Sequence, residues 1–270
     1  MAVKRMEPSP ARVHVGGLIS SWRQRAGMTQ KELALRTHVS ESLEGAYGCA
    51  ERIPSAGFLI EADRLTVAEG ALESCIGLME QEPGRAQFLE WWALEAEALS
   101  FGGYQSLVLP GLLQTPDYVS ALLRSRVPAY SKSEVERLVN ERLERKPALV
   151  REPAPTVSFV VEQSVFERPI GGAAAFKKSL LHVVKTVREL DHVMLQVMPT
   201  DVDEHAGLAG PVDVLFSPDG RYSVFMEAQG KGKLLTRPAE ADQYVQRLGA
   251  LRSQAMPPKK SLELIERLAG

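Results

Sequence analysis

The chain has 270 residues, a formal net charge of −2 and a hydrophobic share of 44%, values ordinary for a globular protein with room for two domain cores. No stretch approaches the roughly 20 apolar residues of a membrane span, and the basic N-terminus lacks the apolar run of a secretory signal. Cys49 and Cys75 have neither metal-ligand spacing nor a disulfide framework. These features predict a cytoplasmic protein without membrane contact.

The segment 17–54 predicts two capped helices joined by a short turn. A helical run over Ser20–Ala26 ends before Gly27, and Thr29 and Glu32 then have the spacing of a capping box that starts a second helix. Val39 fills the turn, and Ser40 is a typical N-cap for a third helix. Two such helices in succession are the geometry that places the second one in the major groove of DNA.

The same segment resembles a known family. The runs G-M-T-Q-x-E-L-A, V-S-x-S and E-R-x-P-S are similar to those of Xre-type (lambda-repressor-like) transcriptional regulators. The resemblance implies an all-α helix-turn-helix DNA-binding domain, which we expect over residues 1–80. An amphipathic helical bundle that happens to carry two good caps is the alternative. The chain departs from the family pattern at Glu44, usually aliphatic, and at Cys49, where a basic residue is missing.

Charge limits how the N-terminal domain could bind DNA. Residues 1–36 contain seven basic and two acidic residues, whereas residues 37–80 contain two basic and eight acidic ones. Because non-specific affinity comes from neutralised phosphates, this balance predicts weak non-specific binding and favours a dimer at one chosen site.

The predicted DNA contacts come from the capped helices and their flanks. Thr29, Gln30 and Ser40 are expected on phosphates, with Glu41 and Ser42 near the bases. Glu41 has two interpretations of equal weight: it accepts from a cytosine amino group, or it only stabilises the helix N-terminus. The full predicted set is Arg25, Thr29, Gln30, Lys31, Ser40, Glu41, Ser42 and Arg52.

A hinge at 80–85 is expected to precede a second domain over 85–270. After helices at 58–65 and 72–79, the pattern predicts helices at 87–99, from Thr115, and at 133–146, 171–190, 238–253 and 261–268. Strands are predicted at 105–109, 156–161 and 193–198, followed by a hairpin of 212–216 and 222–226 around Ser217–Gly220. The sum predicts an α+β domain with a mostly antiparallel sheet.

This second part also resembles a family. Phe88–Trp92, Leu109–Tyr118 with its Pro-Gly-Leu-Leu-Gln-Thr-Pro run, Leu195–Pro199 and His205–Gly210 are similar to the C-terminal domain of unknown function 5753 found on Xre-type proteins of streptomycetes and other actinobacteria. The resemblance implies an antitoxin-like regulator with a small acidic partner protein (domain of unknown function 397), linked to antibiotic production and development.

Catalytic chemistry is not predicted. The acidic run that ends at His205 is more typical of a solvated turn than of a metal site, and no nucleophile elbow or phosphate loop is present. We therefore expect no enzyme, no cofactor and no metal.

Two functions are open at this point. The first is a homodimeric, sequence-specific transcriptional regulator of double-stranded DNA, whose second domain dimerises, holds a partner or senses a small-molecule effector. The second is an antitoxin-like protein-binding module whose DNA affinity is weakened, an idea motivated by Glu41, Glu44 and the missing basic residue.

Overall fold

The structure is a computed structural model that describes residues 8–82, 84–228 and 231–270. It contains twelve α-helices and six strands within those ranges. The helices are α1 Pro10–Arg25, α2 Gln30–Thr37, α3 Glu41–Gly48, α4 Ala56–Thr66, α5 Ile76–Glu80, α6 Gly84–Glu97, α7 Pro116–Arg124, α8 Lys132–Leu143, α9 Pro147–Val150, α10 Ala173–Glu189, α11 Pro238–Gln254 and α12 Pro258–Ala269. The strands are β1 Ser100–Gln105, β2 Thr156–Glu162, β3 Val193–Met198, β4 Val212–Phe216, β5 Tyr222–Ala228 and β6 Lys231–Leu235.

The chain divides into two compact units. The first unit comprises Met1–Ala98 and Val214–Tyr244, and the second comprises Leu99–Asp213 and Val245–Gly270. Strand β4 crosses this division. Within the described ranges, no helix has the length and apolar character needed to cross a bilayer.

Side-chain caps explain where the first four helices begin. The hydroxyl oxygens of Ser9, Thr29, Ser40 and Ser55 each accept a hydrogen bond from a backbone N–H inside the helix that follows, at 3.1–3.2 Å. The predicted caps at Thr29 and Ser40 are thus confirmed. Helix α1 is longer than the predicted helical run at 20–26, because the Ser9 cap and the proline that follows it start the helix ten residues, nearly three turns, upstream.

The first unit has a core built mainly from its N-terminal helices. Val15, Ile19, Leu33 and Phe58 are fully buried there, and the Tyr47 ring lies 4.7 Å from the Phe58 ring. Helices α1 and α3 approach closely at Gly16, where a Cβ would lie 2.7 Å from the Tyr47 carbonyl oxygen. The predicted helix at 72–79 is a 3₁₀ turn over Glu73–Cys75 followed by α5.

The C-terminal strands of the first unit pack on α6. Strands β5 and β6 are antiparallel, with Phe225 opposite Leu234. The Phe225 ring stacks on Trp91 of α6 at 5.3 Å, and the Leu234 N–H donates to the Gln87 amide oxygen at 2.7 Å. Residues almost 150 positions apart therefore share one core.

The second unit contains three parallel strands, with β2 between β1 and β3. The sheet as a whole has the strand order β3-β2-β1-β4-β5-β6 and is mixed, so the prediction of a mostly antiparallel sheet was wrong. Long connections separate these strands, including α10 between β2 and β3, and parallel pairing requires such crossovers. The α+β class and the N-terminal helices agree with the prediction.

Strand β1 begins five residues before the strand predicted at 105–109, and the two share only Gln105. The centre of β1 is Gly102 and Gly103. Because glycine has a low strand propensity, the sequence pattern does not indicate a strand here. The glycines are needed because the strands are close: a Cβ on Gly102 would lie 1.9 Å from the Ser158 carbonyl oxygen of β2.

Candidate nucleic-acid interface

Helices α2 and α3 are joined by a tight turn. The turn begins at His38, whose φ of 61° is left-handed, and the Val39 N–H donates to the Ala34 carbonyl at 3.0 Å. Thr29 and Glu32 form the predicted capping box, in which the Glu32 carboxylate accepts from the Thr29 N–H at 2.7 Å. The capping box therefore defines the start of α2, and a three-residue connection joins the end of α2 to the start of α3.

Five of the predicted contact residues lie exposed at the starts of these helices. Thr29 and Lys31 are exposed on α2 and its cap, and Ser40, Glu41 and Ser42 are exposed on α3 and its cap. Gln30 is half-buried, and its amide nitrogen lies 3.7 Å from where a Cβ on Gly45 would be, so it lies against α3. The Gln30 side chain of α2 thus lies next to the exposed residues of α3.

The other two predicted residues have different surroundings. Arg25 is exposed at the end of α1, with its guanidinium 5.1 Å above the Trp22 ring. Arg52 is half-buried and bound through two nitrogens to the Glu90 carboxylate, at 2.8–3.0 Å, and the same carboxylate accepts from the Ile53 N–H. In this arrangement the Arg52 guanidinium donates its hydrogen bonds to a buried carboxylate of the same protein.

The carboxylate of Glu44 is buried inside the first unit. The Glu44 side chain is 1% exposed, and one of its oxygens lies 3.1 Å from Nε of Arg23 on α1, which is itself mostly buried. Burial raises the pKa of Glu44, and the nearby Arg23 guanidinium only partly offsets this effect. The acidic character of the exposed part of α3 therefore comes from Glu41.

The carboxylate of Glu32 is occupied by the cap of α2. Its hydrogen bonds from the backbone and hydroxyl of Thr29 lower the pKa of Glu32 below its ordinary value. Its negative charge is stabilising at a helix N-terminus, where the backbone N–H groups are unsatisfied.

The C-terminus of α2 is bound by a residue that the sequence did not single out. Arg221, at the end of the β4–β5 turn, donates through Nη1 to the Thr37 carbonyl at 3.2 Å and to the Asp219 carboxylate at 3.1 Å. The Thr37 carbonyl is one of those left unpaired at a helix end, and a cation there is favourable. The sequence predicted the hairpin turn that Arg221 follows, but no local pattern indicated that its partner is Thr37.

A second polar cluster lies in the second unit, at the carboxyl ends of β1 and β2. The Tyr104 hydroxyl donates to Glu162, and Nε2 of His205 lies 3.4 Å from the same carboxylate. Nδ1 of His205 accepts from the Gly207 N–H at 3.1 Å. Both ring nitrogens thus face protein groups. Burial, with the Glu162 bond and charge, raises the pKa of Tyr104.

The fold is that of an α+β protein with N-terminal helices and a mixed sheet. Residues 88–267, two thirds of the chain, match the family model described as Domain of unknown function (DUF5753). The chain belongs to this family, which confirms the resemblance predicted from the second part of the sequence. Residues 1–87 lie outside the match. No curated protein and no solved structure matches the chain.

Proposed function

We propose that the protein is a sequence-specific DNA-binding transcriptional regulator that acts as a homodimer and inserts α3 into a major groove. The observation that carries this proposal is the capped pair α2 and α3, whose starts leave Lys31, Ser40, Glu41 and Ser42 exposed beside Gln30. Amide and hydroxyl groups at such positions are suited to hydrogen bonding with base edges and phosphates, and the Glu41 carboxylate is suited to accepting from a cytosine amino group.

The remaining domain would dimerise, hold a partner or sense a signal. The resemblance to streptomycete proteins suggests control of antibiotic production or development, inside the cytoplasm. Residues 1–80 contain nine basic and ten acidic residues, a net charge of −1. This balance favours site-specific over general DNA affinity, since the acidic residues offset the cations that would neutralise phosphates.

The first test is sequence selection from random DNA by the full-length protein. We expect one two-fold symmetric sequence to be enriched, with a second copy of the chain bound on the symmetric half. Absence of any enriched sequence at low salt would contradict the proposal.

The second test assigns the contacts. With the selected duplex, Gln30→Ala should lose a phosphate contact and Ser42→Ala a base contact. Each variant should weaken binding by roughly tenfold, because a hydrogen bond to a charged group contributes about 1.5–3 kcal/mol and a good base contact about 1–3 kcal/mol. Gln81→Ala, at an exposed glutamine that follows α5 in the same unit, is the matched control. If neither Gln30→Ala nor Ser42→Ala changes the affinity for the duplex, the assignment of these residues as DNA contacts is wrong.

The alternative is an antitoxin-like module that acts through a small acidic partner protein. One of the two carboxylates that favoured it, Glu44, is buried against Arg23, which weakens the argument from an acidic helix surface. Titration against the product of the neighbouring small gene distinguishes the two. A tight complex without any specific DNA shift would favour the alternative.

A further inference from the structure

The β4–β5 turn of the first unit lies against the end of α2. Arg221, the residue that follows the turn, donates through Nη1 to the Thr37 carbonyl at 3.2 Å. Thr37 is the last residue of α2, and a three-residue connection joins it to the first residue of α3. The family match covers Arg221, whereas α2 and α3 lie outside it. A residue of the family domain thus binds the chain at the point that leads into the helix proposed to read DNA.

The hairpin itself orients the Arg221 guanidinium. Nη1 of Arg221 donates to one oxygen of the Asp219 carboxylate at 3.1 Å, and the other oxygen accepts from the Arg221 backbone N–H at 3.3 Å. The Arg221 carbonyl accepts from the Ser217 N–H at 2.9 Å. The side chains of Arg221 and Asp219 are 20% and 14% exposed, so solvent competes little with these bonds. Because the backbone and the side chain of Arg221 are both bound to the turn, the position of the hairpin determines where the guanidinium lies.

A glycine of α4 leaves room for the Arg221 side chain. A Cβ on Gly57 would lie 2.4 Å from Cδ and 2.5 Å from Nε of Arg221, well inside van der Waals contact. Gly57 is the second residue of α4 and has an ordinary helical backbone, which does not itself require glycine. Because glycine destabilises a helix relative to alanine, its presence here is explained by the space that the Arg221 side chain occupies.

Apolar packing alone does not fix the start of α3 against this hairpin. A cavity of about 100 Å³ is lined both by Ser40 and Leu43, from the cap and first turn of α3, and by Pro218 and Asp219 of the hairpin turn. Groups that line a void lack contacts on that side, so the start of α3 has room to shift. The bond from Arg221 restrains the end of α2, and through the short connection it limits this shift.

We propose that Arg221 is a positioning residue for DNA binding. Through Arg221, the β4–β5 hairpin holds the end of α2, and with it the start of α3, in the arrangement that presents the exposed cap and first turn of α3 to a duplex. Arg221 acts through Thr37 and does not contact the duplex. This inference rests on the proposed function, and it names the part of the family domain that acts on the DNA-binding helices. An event in that domain changes DNA affinity by this route only if it favours one position of the hairpin over another.

The first test removes the contact in two independent ways. Arg221→Met takes away the guanidinium, whereas Gly57→Ala keeps it and places a methyl group where the Arg221 side chain lies. Affinity of the full-length protein for the selected duplex is measured by fluorescence anisotropy. Both variants should raise Kd at least tenfold, because a displaced α3 loses base contacts and one good contact accounts for a factor of about ten. Arg221→Lys, which keeps the cation, should give an intermediate Kd. An unchanged or lower Kd in either of the first two variants would overturn the positioning role.

Matched controls separate positioning from charge and from helix propensity. Arg237→Met removes a cation of the same unit that pairs with Glu80 instead, and Gly77→Ala adds a methyl group in α5 that meets nothing within 4 Å. Neither should change Kd by more than twofold. A rise in Kd for Arg237→Met equal to that for Arg221→Met would mean that loss of charge alone explains the effect, which contradicts the proposal. If a test variant fails to fold by circular dichroism, Asp219→Asn replaces it and should raise Kd at least threefold.

The salt dependence of binding distinguishes a positioning residue from a phosphate contact. Each phosphate that the protein neutralises contributes about 0.9 to the slope of log Kd against log salt concentration. Because Arg221 acts through Thr37, Arg221→Met should raise Kd and leave this slope unchanged. A slope that falls by about one in Arg221→Met, but not in Gly57→Ala, would show that the guanidinium binds a phosphate directly and that the positioning role is wrong.

A measurement without DNA keeps this test separate from that of the proposed function. Amide hydrogen exchange of the full-length protein is followed by mass spectrometry on peptides that cover residues 34–45. Arg221→Met and Gly57→Ala should each speed exchange there at least threefold and leave peptides from α12 unchanged. Unchanged exchange at residues 34–45 would show that Arg221 does not hold these helices. A failure to select any DNA sequence would count against the proposed function, and the exchange data would still decide whether Arg221 positions α3.

Discussion

The two units differ in what fixes their backbones. In the first, side-chain caps next to each helix determine where α1 to α4 begin, but residues far along the chain hold those helices in place, including Glu90 and Arg221. In the second, β1 and β2 pair through backbone hydrogen bonds, and the two strands approach most closely at Gly102 and Ser158. The comparison shows that local signals locate the helices, whereas distant partners determine the packing in both units.

The largest expected effect comes from removing a buried ionic anchor of the first unit, the Glu90 carboxylate. Glu90→Ala leaves the Arg52 guanidinium and the Ile53 N–H without their acceptor in a mostly buried position. Because an uncompensated buried charge is costly, we expect a loss of about 3–5 kcal/mol in the free energy of unfolding. Urea denaturation followed by circular dichroism measures it.

The control for this prediction is Glu61→Ala, which breaks the more exposed Glu61–Arg64 pair on α4. That change should be far smaller, since exposed pairs contribute little. Equal losses for Glu61→Ala and Glu90→Ala would show that the anchor at position 90 has no special role.

A smaller effect is expected from the second unit. Gly102→Ala places a methyl group against the Ser158 carbonyl and forces the two strands to move, at a cost of about 1–3 kcal/mol. Gly249→Ala in α11 meets nothing within 4 Å and should stabilise the same unit by about 0.5–1 kcal/mol. Thermal unfolding of both variants checks the sign, and stabilisation by both would contradict the tight strand approach.

The smallest effect is a pH dependence at the buried pair of the first unit. Burial raises the pKa of Glu44 in the folded state, so the folded protein holds this proton more strongly than the unfolded chain does. Stability due to Glu44 is therefore greatest below its ordinary pKa and falls as the pH rises through the raised value.

Glu44→Gln removes this titration. Relative to the unsubstituted protein, the variant should gain stability as the pH rises from about 4 to 7, the range above the ordinary glutamate pKa of about 4.3. Urea denaturation at several pH values gives the difference curve. A curve that is flat or slopes the other way would mean that Arg23 controls the charge of Glu44 completely.

The sequence predicted features that depend on near neighbours. Thr29, Glu32 and Ser40 lie within three residues of the groups they cap, so their pattern was sufficient. It did not predict β1, because two glycines conceal a strand whose stability comes from β2, more than 50 residues later. Parallel pairing depends on which distant strands meet, and periodicity carries no information on that.

The candidate sites show the same limit. The exposed residues at the starts of α2 and α3 followed from the caps, and the unusual charge at Glu44 was visible in the sequence. Its partner Arg23, on a different helix, was not. The sequence also did not predict that the hairpin residues Ser217 and Ser223 line a cavity of about 100 Å³ together with Leu43 of α3.

The backbone ties to positions 90 and 236 have a consequence for protein engineering. The N–H groups of Ile53 and Ala56 donate to the side chains of Glu90 and Thr236, both within the family match. Cutting the chain near residue 80 would expose these donors and much of the apolar surface beneath them. Exchanging the N-terminal helices between relatives would therefore succeed only where the recipient carries matching acceptors.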